Sequence, residues 1–138
     1  MNYLFVLSIF FVLNFTSDKK ELTLTITNIK NIEGNLEVGL FNTGERFLES
    51  GQAYKRFTIP VKSDSQTLVI KDLPQGEYAI SLYHDKNSNG VCDRNFFGIP
   101  KEPYGFSNNY KPKFSAPAFA DCKFELRSDQ EIRIELVH

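Results

Sequence analysis

Apolar and polar residues alternate with period two along most of the chain, and this pattern limits what it can fold into more than any other feature. Leu22, Leu24 and Ile26 alternate with Thr23, Thr25 and Thr27, and Leu36, Val38 and Leu40 with Asn35, Glu37 and Gly39. Phe57, Ile59 and Val61 alternate too, and Pro60 marks that segment as an edge strand or a strand end. Leu68 to Ile70 is a short apolar run. Tyr78, Ile80 and Leu82 share one face, as do Cys122, Phe124 and Leu126, and Ile132, Ile134 and Leu136 close the chain with Arg133 and Glu135 facing water. Successive side chains of a strand point to opposite faces, so each segment predicts a strand buried on one side. Helical spacing is nowhere sustained over about ten residues, and residues 44–52 have room for one helical turn at most. About seven strands with turn signals between them predict an all-β chain, an antiparallel β-sandwich. Asn31–Asn35 reads as a hairpin turn between the first two strands. Leu73-Pro74-Gln75-Gly76 reads as a second turn, and Tyr78 after it ties its hydroxyl to nearby backbone, is a plain core aromatic, or does both.

A chain of 138 residues fits one domain, expected over residues 18–138. With 41% hydrophobic and 24% charged residues it is neither disordered nor collagen-like. Sixteen basic residues against 17 acidic ones give a net charge of −1, so nothing offers nucleic acid a basic face.

Residues Tyr3 to Phe15 are apolar apart from Ser8 and Asn14, and the run stops at Thr16-Ser17-Asp18-Lys19-Lys20. It is shorter than the roughly 20 residues of a membrane span and suits the hydrophobic region of a secretory signal. Residues 1–17 are therefore expected to be a signal peptide. The mature chain would be exported, to the periplasm, the cell surface or the medium, with no stable membrane span of its own. The competing readings are a first core strand or an uncleaved anchor. In an oxidising compartment Cys92 and Cys122 either pair as a disulfide or remain separate thiols, with Cys122 in register with Phe124 and Leu126 and so directed at a core.

The segment 85–118 departs from the strand pattern. It holds Pro100, Pro103, Pro112 and Pro117 with Gly90, Gly98 and Gly105, and its many Phe and Tyr residues predict an ordered excursion over one end of the sandwich. It opens with Asp85-Lys86-Asn87-Ser88-Asn89-Gly90-Val91-Cys92-Asp93. Oxygen-bearing side chains at alternate positions followed by Gly are the logic of a calcium loop: Asp85, Asn87, Asn89, the carbonyl of Val91 and Asp93 form the candidate shell. Phe96 stands where an EF-hand needs a bidentate Glu, and the flanks are not two helices, so an EF-hand is excluded. Glu102 is a possible distant ligand. The alternative is a metal-free polar turn, since Asx side chains bond their own backbone. With two certain carboxylates, calcium would bind weakly, with Kd on the order of 10⁻⁴–10⁻³ M.

The runs Leu73–Ile80, His84–Gly90 and Asp93–Asn109 resemble an uncharacterised exported bacterial family, the domain of unknown function DUF2141. The resemblance covers nearly all of the mature chain and is most specific over 84–109. It implies an exported single domain of transthyretin-like or immunoglobulin-like sandwich type, and no reaction. Cys92 departs from the family pattern, which leads one to expect Lys or an apolar residue there.

His84 shares a strand face with Ile80 and Leu82, as a base or metal ligand or as a packed residue bonded to backbone. Ser107 lacks a nucleophile-elbow motif, and no zinc-type spacing of His and Cys exists. Phe96, Phe97, Tyr104, Phe106, Tyr110, Phe114 and Phe119 either line a ligand groove or pin the excursion to the sandwich as a satellite core. Three functions follow in order. The first is a non-catalytic exported binding or structural module, its 84–110 loop organised by weak calcium and exposing Phe97, Tyr104, Phe106, Asn108, Asn109 and Tyr110 to an unidentified protein or small ligand. The second is a small-ligand carrier with a pocket under the aromatic loop. The third is an enzyme centred on His84, Asp85 and Glu102. An empty apolar cavity would favour the second.

Overall fold

The computed structural model describes residues 18–138, and the expected signal segment 1–17 lies outside the described residues. Eight strands follow in chain order: β1 (Lys19–Thr27), β2 (Asn35–Phe41), β3 (Lys55–Pro60), β4 (Gln66–Pro74), β5 (Gly76–Asp85), β6 (Tyr104–Phe106), β7 (Phe124–Leu126) and β8 (Gln130–Glu135). One sheet has the order β4-β1-β8, the other β3-β2-β5-β6, with β7 paired to the start of β5. The two stack as a β-sandwich. The inward phases named by the alternation meet between them: Leu22, Leu24 and Ile26 of β1, Leu36, Val38 and Leu40 of β2, Ile80 and Leu82 of β5, and Ile134 of β8 are all buried in one cluster. Each such side chain contributes about 1.5–3 kcal/mol by leaving water. β3, with Pro60 at its end, lies at a sheet edge as expected.

Three features depart from the expectation. First, residues 28–34 are not a hairpin turn. β1 and β2 lie in different sheets, and the connection between them passes over the end of the sandwich, with residues 30–33 exposed and Ile29 buried. Gly34 makes the crossing possible. Its φ is +66°, and a Cβ there would stand 2.1 Å from the Asp85 carbonyl oxygen, so only glycine fits. Second, β1 and β8 pair in parallel, Leu24 opposite Ile132 and Ile26 opposite Ile134, because the last strand enters from the opposite sheet rather than through a hairpin. Third, the excursion contains an eighth strand, Tyr104–Phe106, which pairs with β5. Gly105 faces inward there, and a Cβ would meet Ile134 Cγ2 at 2.6 Å.

At Leu73–Gly76, where a turn is expected, β4 and β5 run almost into one another, and Gln75 alone links the two sheets. Tyr78 hydroxyl donates to the Pro74 carbonyl at 2.7 Å, so it is both a core aromatic and a tie across the corner. Cys122 is buried but is not a strand residue. It ends a short helical turn, Phe119–Cys122, in which the Asp121 carboxylate accepts the Ala118 N–H at 2.8 Å. Both cysteines are free thiols, so the structure contains no Cys92–Cys122 bridge. Cys122 packs with Ala79 and Phe106 in a small second cluster on the outer face of the β2–β5 sheet, and Cys92 is not part of it. Among the described residues no helix is long and apolar enough to cross a membrane.

Candidate functional site

The outward phases of β2, β5 and β6 build the floor of a groove. Register places Arg56, Gly39, Ser81 and Phe106 in one row across the sheet, and Thr58, Glu37, Tyr83 and Tyr104 in the next. Gly39 and Ser81 sit side by side in the middle and leave space above them. Aromatic rings from β5 and β6 stand at one end, and Arg56 at the other. Three segments raise walls around this floor: residues 48–53, residues 90–100 and residues 112–117. The groove holds about 800 Å³, within the roughly 300–1,000 Å³ of small-molecule sites.

Each wall has a local cause. Residues 93–101 form a tight hairpin: Asn95 Oδ1 accepts the N–H groups of Phe97 and Ile99, Asn95 N–H reaches the Ile99 carbonyl at 2.8 Å, and Lys101 N–H reaches that of Asp93 at 2.7 Å. Its tip holds Phe96 and Phe97 out at 97% and 82% exposure. The 112–117 wall carries Phe114, which is fully exposed. The first wall is backed by aromatic packing, Phe41 edge-on to Phe47 at 5.0 Å and Phe47 edge-on to Phe119 at 5.8 Å.

The aromatics of the excursion therefore divide. Tyr104 and Phe106 face the groove from the floor and, with Phe119, pack around the second cluster. Phe96, Phe97, Tyr110 and Phe114 are exposed, so a satellite core is not their role. Phe97, Tyr104 and Phe106 come together at the groove. Asn108, Asn109 and Tyr110 do not line it. Asn108 donates to the Lys123 carbonyl at 2.9 Å, and Asn109 exchanges hydrogen bonds with the Arg133 carbonyl (3.1 Å) and the Glu135 N–H (2.8 Å). Both have positive φ, +63° and +48°, which asparagine tolerates.

The 85–93 loop forms the approach to the hairpin wall and is knitted by its own side chains. Asp85 is buried. Its Oδ1 accepts the Asn89 N–H at 3.1 Å and its Oδ2 the Gly90 N–H at 2.8 Å. Asn87 Oδ1 shares the Asn89 N–H, and Asn89 Oδ1 accepts from Val91. The carboxamides of Asn87 and Asn89 donate to Asp93. Glu102, also buried, accepts the N–H groups of Lys86 and Asp93. Among the described residues no group of three or more His, Cys, Asp or Glu side chains is arranged to hold a metal ion. His84 is fully buried on the core side. Its Nε2 lies 2.7 Å from the Glu33 carbonyl, which can only accept, so Nε2 carries the proton. Nδ1 is buried and has no hydrogen-bond partner among the described residues.

Burial shapes the titration of the floor. Tyr83 is pushed up to about 12 by desolvation, then by Glu37, Asp85 and Cys92, against the opposing pull of Arg56. The Cys92 thiol, which also lines the groove, is raised by burial in spite of Arg94. At neutral pH both are uncharged donors.

Sequence reasoning missed the centre of this site. Gly39 falls on the polar phase of its strand, and Ser81, Phe41, Arg56 and Tyr83 belong to no motif. The legible signal was two small residues on the outward phase of strands that later prove to be neighbours.

Fold and site together define a β-sandwich with an open, aromatic-lined groove on the outer face of one sheet. The chain belongs to the family DUF2141, described as an uncharacterized protein conserved in bacteria, whose model matches residues 24–135. No curated protein and no solved structure matches it.

Proposed function

We propose that this chain is an exported binding module that holds a small ligand in the groove above Gly39 and Ser81. The observation that carries the reading is the groove itself: about 800 Å³, floored by small and aromatic residues and rimmed by phenylalanines that water surrounds. An exposed Phe gains by covering, and a ligand between Phe97, Phe114 and the Tyr83–Tyr104 floor would supply that cover. Export rests on the apolar run at 3–15.

The test is titration with N-phenyl-1-naphthylamine, a neutral aromatic probe that fluoresces when desolvated. Saturable binding that Ser81→Leu abolishes is the expected result, since a leucine on the floor fills the space from below. Ser81 makes no side-chain hydrogen bond among the described residues, so the substitution should leave the unfolding midpoint near that of the parent. No saturable binding by the folded parent chain would sink the reading.

Calcium in the 85–93 loop is a second reading. It is favoured by the convergence of Asp85 and Asn87 oxygens on one N–H and of both asparagine carboxamides on Asp93. A half-turn of those carboxamides would offer oxygens in place of N–H groups. The ion would stiffen the wall of the groove rather than react, and it is tested by unfolding in chelator and in calcium.

A further inference from the structure

The groove is asymmetric in charge as well as in shape. Arg56, Arg94 and Lys113 line it, against Glu37 and Glu49. Glu49 lies 3.8 Å from Arg46, a cation outside the groove, whereas Glu37 accepts from the Thr58 hydroxyl at 2.8 Å and keeps its charge. Three cations thus share the groove with two carboxylates, only one of which is paired with a cation outside it. Among the described residues neither Arg56, Arg94 nor Lys113 forms a salt bridge, and Arg94 spends one N–H on the Gly98 carbonyl at 3.1 Å. A groove with positive charge to spare is unexpected in a chain whose net charge is −1.

The row across the floor orders these groups. Arg56 pairs with Gly39, Gly39 with Ser81, and Ser81 with Phe106. A molecule lying across the two small residues would have an aromatic end, at Phe106 and Tyr104, and a guanidinium end. Arginine suits the second role because its planar fork meets a carboxylate, sulfonate or phosphate with two parallel donors. Ser81 hydroxyl, Tyr83 hydroxyl and Cys92 thiol add donors along the way. We propose that the groove selects a small amphipathic anion, its apolar body over Gly39 and Ser81 against the β5–β6 aromatics and its anionic head at Arg56 and Arg94. The proposal rests on the ligand-binding reading of the same groove and adds the class of ligand.

Two probes with nearly the same body separate the claims. 1-Anilinonaphthalene-8-sulfonate carries the anion and N-phenyl-1-naphthylamine lacks it. The sulfonate is expected to bind the parent chain with a Kd lower by about tenfold or more, the scale of one charge-assisted contact. Arg56→Gln with Arg94→Gln is expected to bring the two Kd values together while leaving the neutral probe bound. Raising the salt concentration is expected to weaken only the sulfonate. Equal Kd values in the parent chain would overturn the anion assignment and leave the groove standing as a neutral site. A sulfonate preference that survives both arginine substitutions would overturn it as well. Failure of both probes to bind would take down the groove reading and this one together.

Discussion

Glu102 and Asp93 are joined at the base of the hairpin wall: one Glu102 carboxylate oxygen accepts the Asp93 N–H at 3.1 Å, while the other accepts the Lys86 N–H at the same distance. The two donors come from opposite ends of the 85–93 loop, so a single buried carboxylate holds the loop shut. Glu102→Gln keeps the volume but offers one acceptor oxygen, turning an N–H2 group toward the second donor. The expected loss is about 1–3 kcal/mol in urea unfolding, the scale of a half-buried hydrogen bond to a charged acceptor. Binding of the neutral probe should weaken with it, since the wall is no longer anchored. An unchanged midpoint would mean that the loop does not need this clamp.

Asp85 makes the corresponding test at the other end of the loop. Its carboxylate receives two backbone N–H groups, so Asp85→Ala is expected to cost about 2–4 kcal/mol even in EDTA. If calcium binds the folded loop, the parent chain gains a further RT ln(1 + [Ca²⁺]/Kd) that the variant lacks, about 1.4 kcal/mol at a tenfold excess over Kd. Unfolding in EDTA and in millimolar calcium reads both quantities. No loss in EDTA would refute the hydrogen-bond account, and the same loss in both would refute the calcium reading.

Tyr83 predicts an alkaline limb of stability. Its hydroxyl releases a proton near 10.0 in the unfolded chain and near 12 in the folded one, with burial as the main cause. Between those values the unfolded chain has lost the proton and the folded chain has not, so rising pH favours unfolding. The contribution is whole below pH 10 and disappears as the pH climbs through 12. Tyr83→Phe should flatten this part of the curve, seen as a smaller drop in urea midpoint between about pH 9 and 11. Superimposable alkaline curves would show that Tyr83 titrates as a free phenol.

The thiols predict a labelling order. Cys122 is fully buried and its thiol is pushed up to about 11 by burial, with Asp121 adding to the effect, whereas Cys92 is half-buried. Only the thiolate alkylates. Iodoacetamide at pH 8 is therefore expected to modify Cys92 slowly and Cys122 only in denaturant, with no change in mass on reduction. Prompt labelling of Cys122 in the folded chain would contradict its place in the second cluster.

Much of the sandwich was legible because burial on one face writes itself as alternation. Leu22–Ile26, Leu36–Leu40 and Ile132–Ile134 took the faces their spacing assigns. Which strands pair was less legible, because alternation carries no address. Residues 31–35 read as a hairpin turn, although Gly34 serves a crossing between sheets, and that depends on the approach of the Asp85 carbonyl from far along the chain. The site was legible at its rim and not at its floor. Phe97, Tyr104 and Phe106 announce themselves as aromatics in an odd segment. Gly39 and Ser81 are ordinary residues whose meaning comes from being cross-strand neighbours.

The parallel pairing of β1 with β8 gives the molecule two distinct poles. Lys19 lies opposite Pro74, at the end where β5 begins, whereas Thr27 lies opposite Glu135, near the end where β5 runs out into Asp85. The two ends of β1 are about 25 Å apart at the rise of an extended strand. A chain moored to a surface ahead of Lys19 would thus stand on its Pro74 pole and hold the Asp85–Glu102 loop away from the support. A label placed after His138, whose ring reaches the Asn28 carbonyl at 2.8 Å, would instead crowd the opposite pole. Immobilised binding assays are best built from the amino-terminal side.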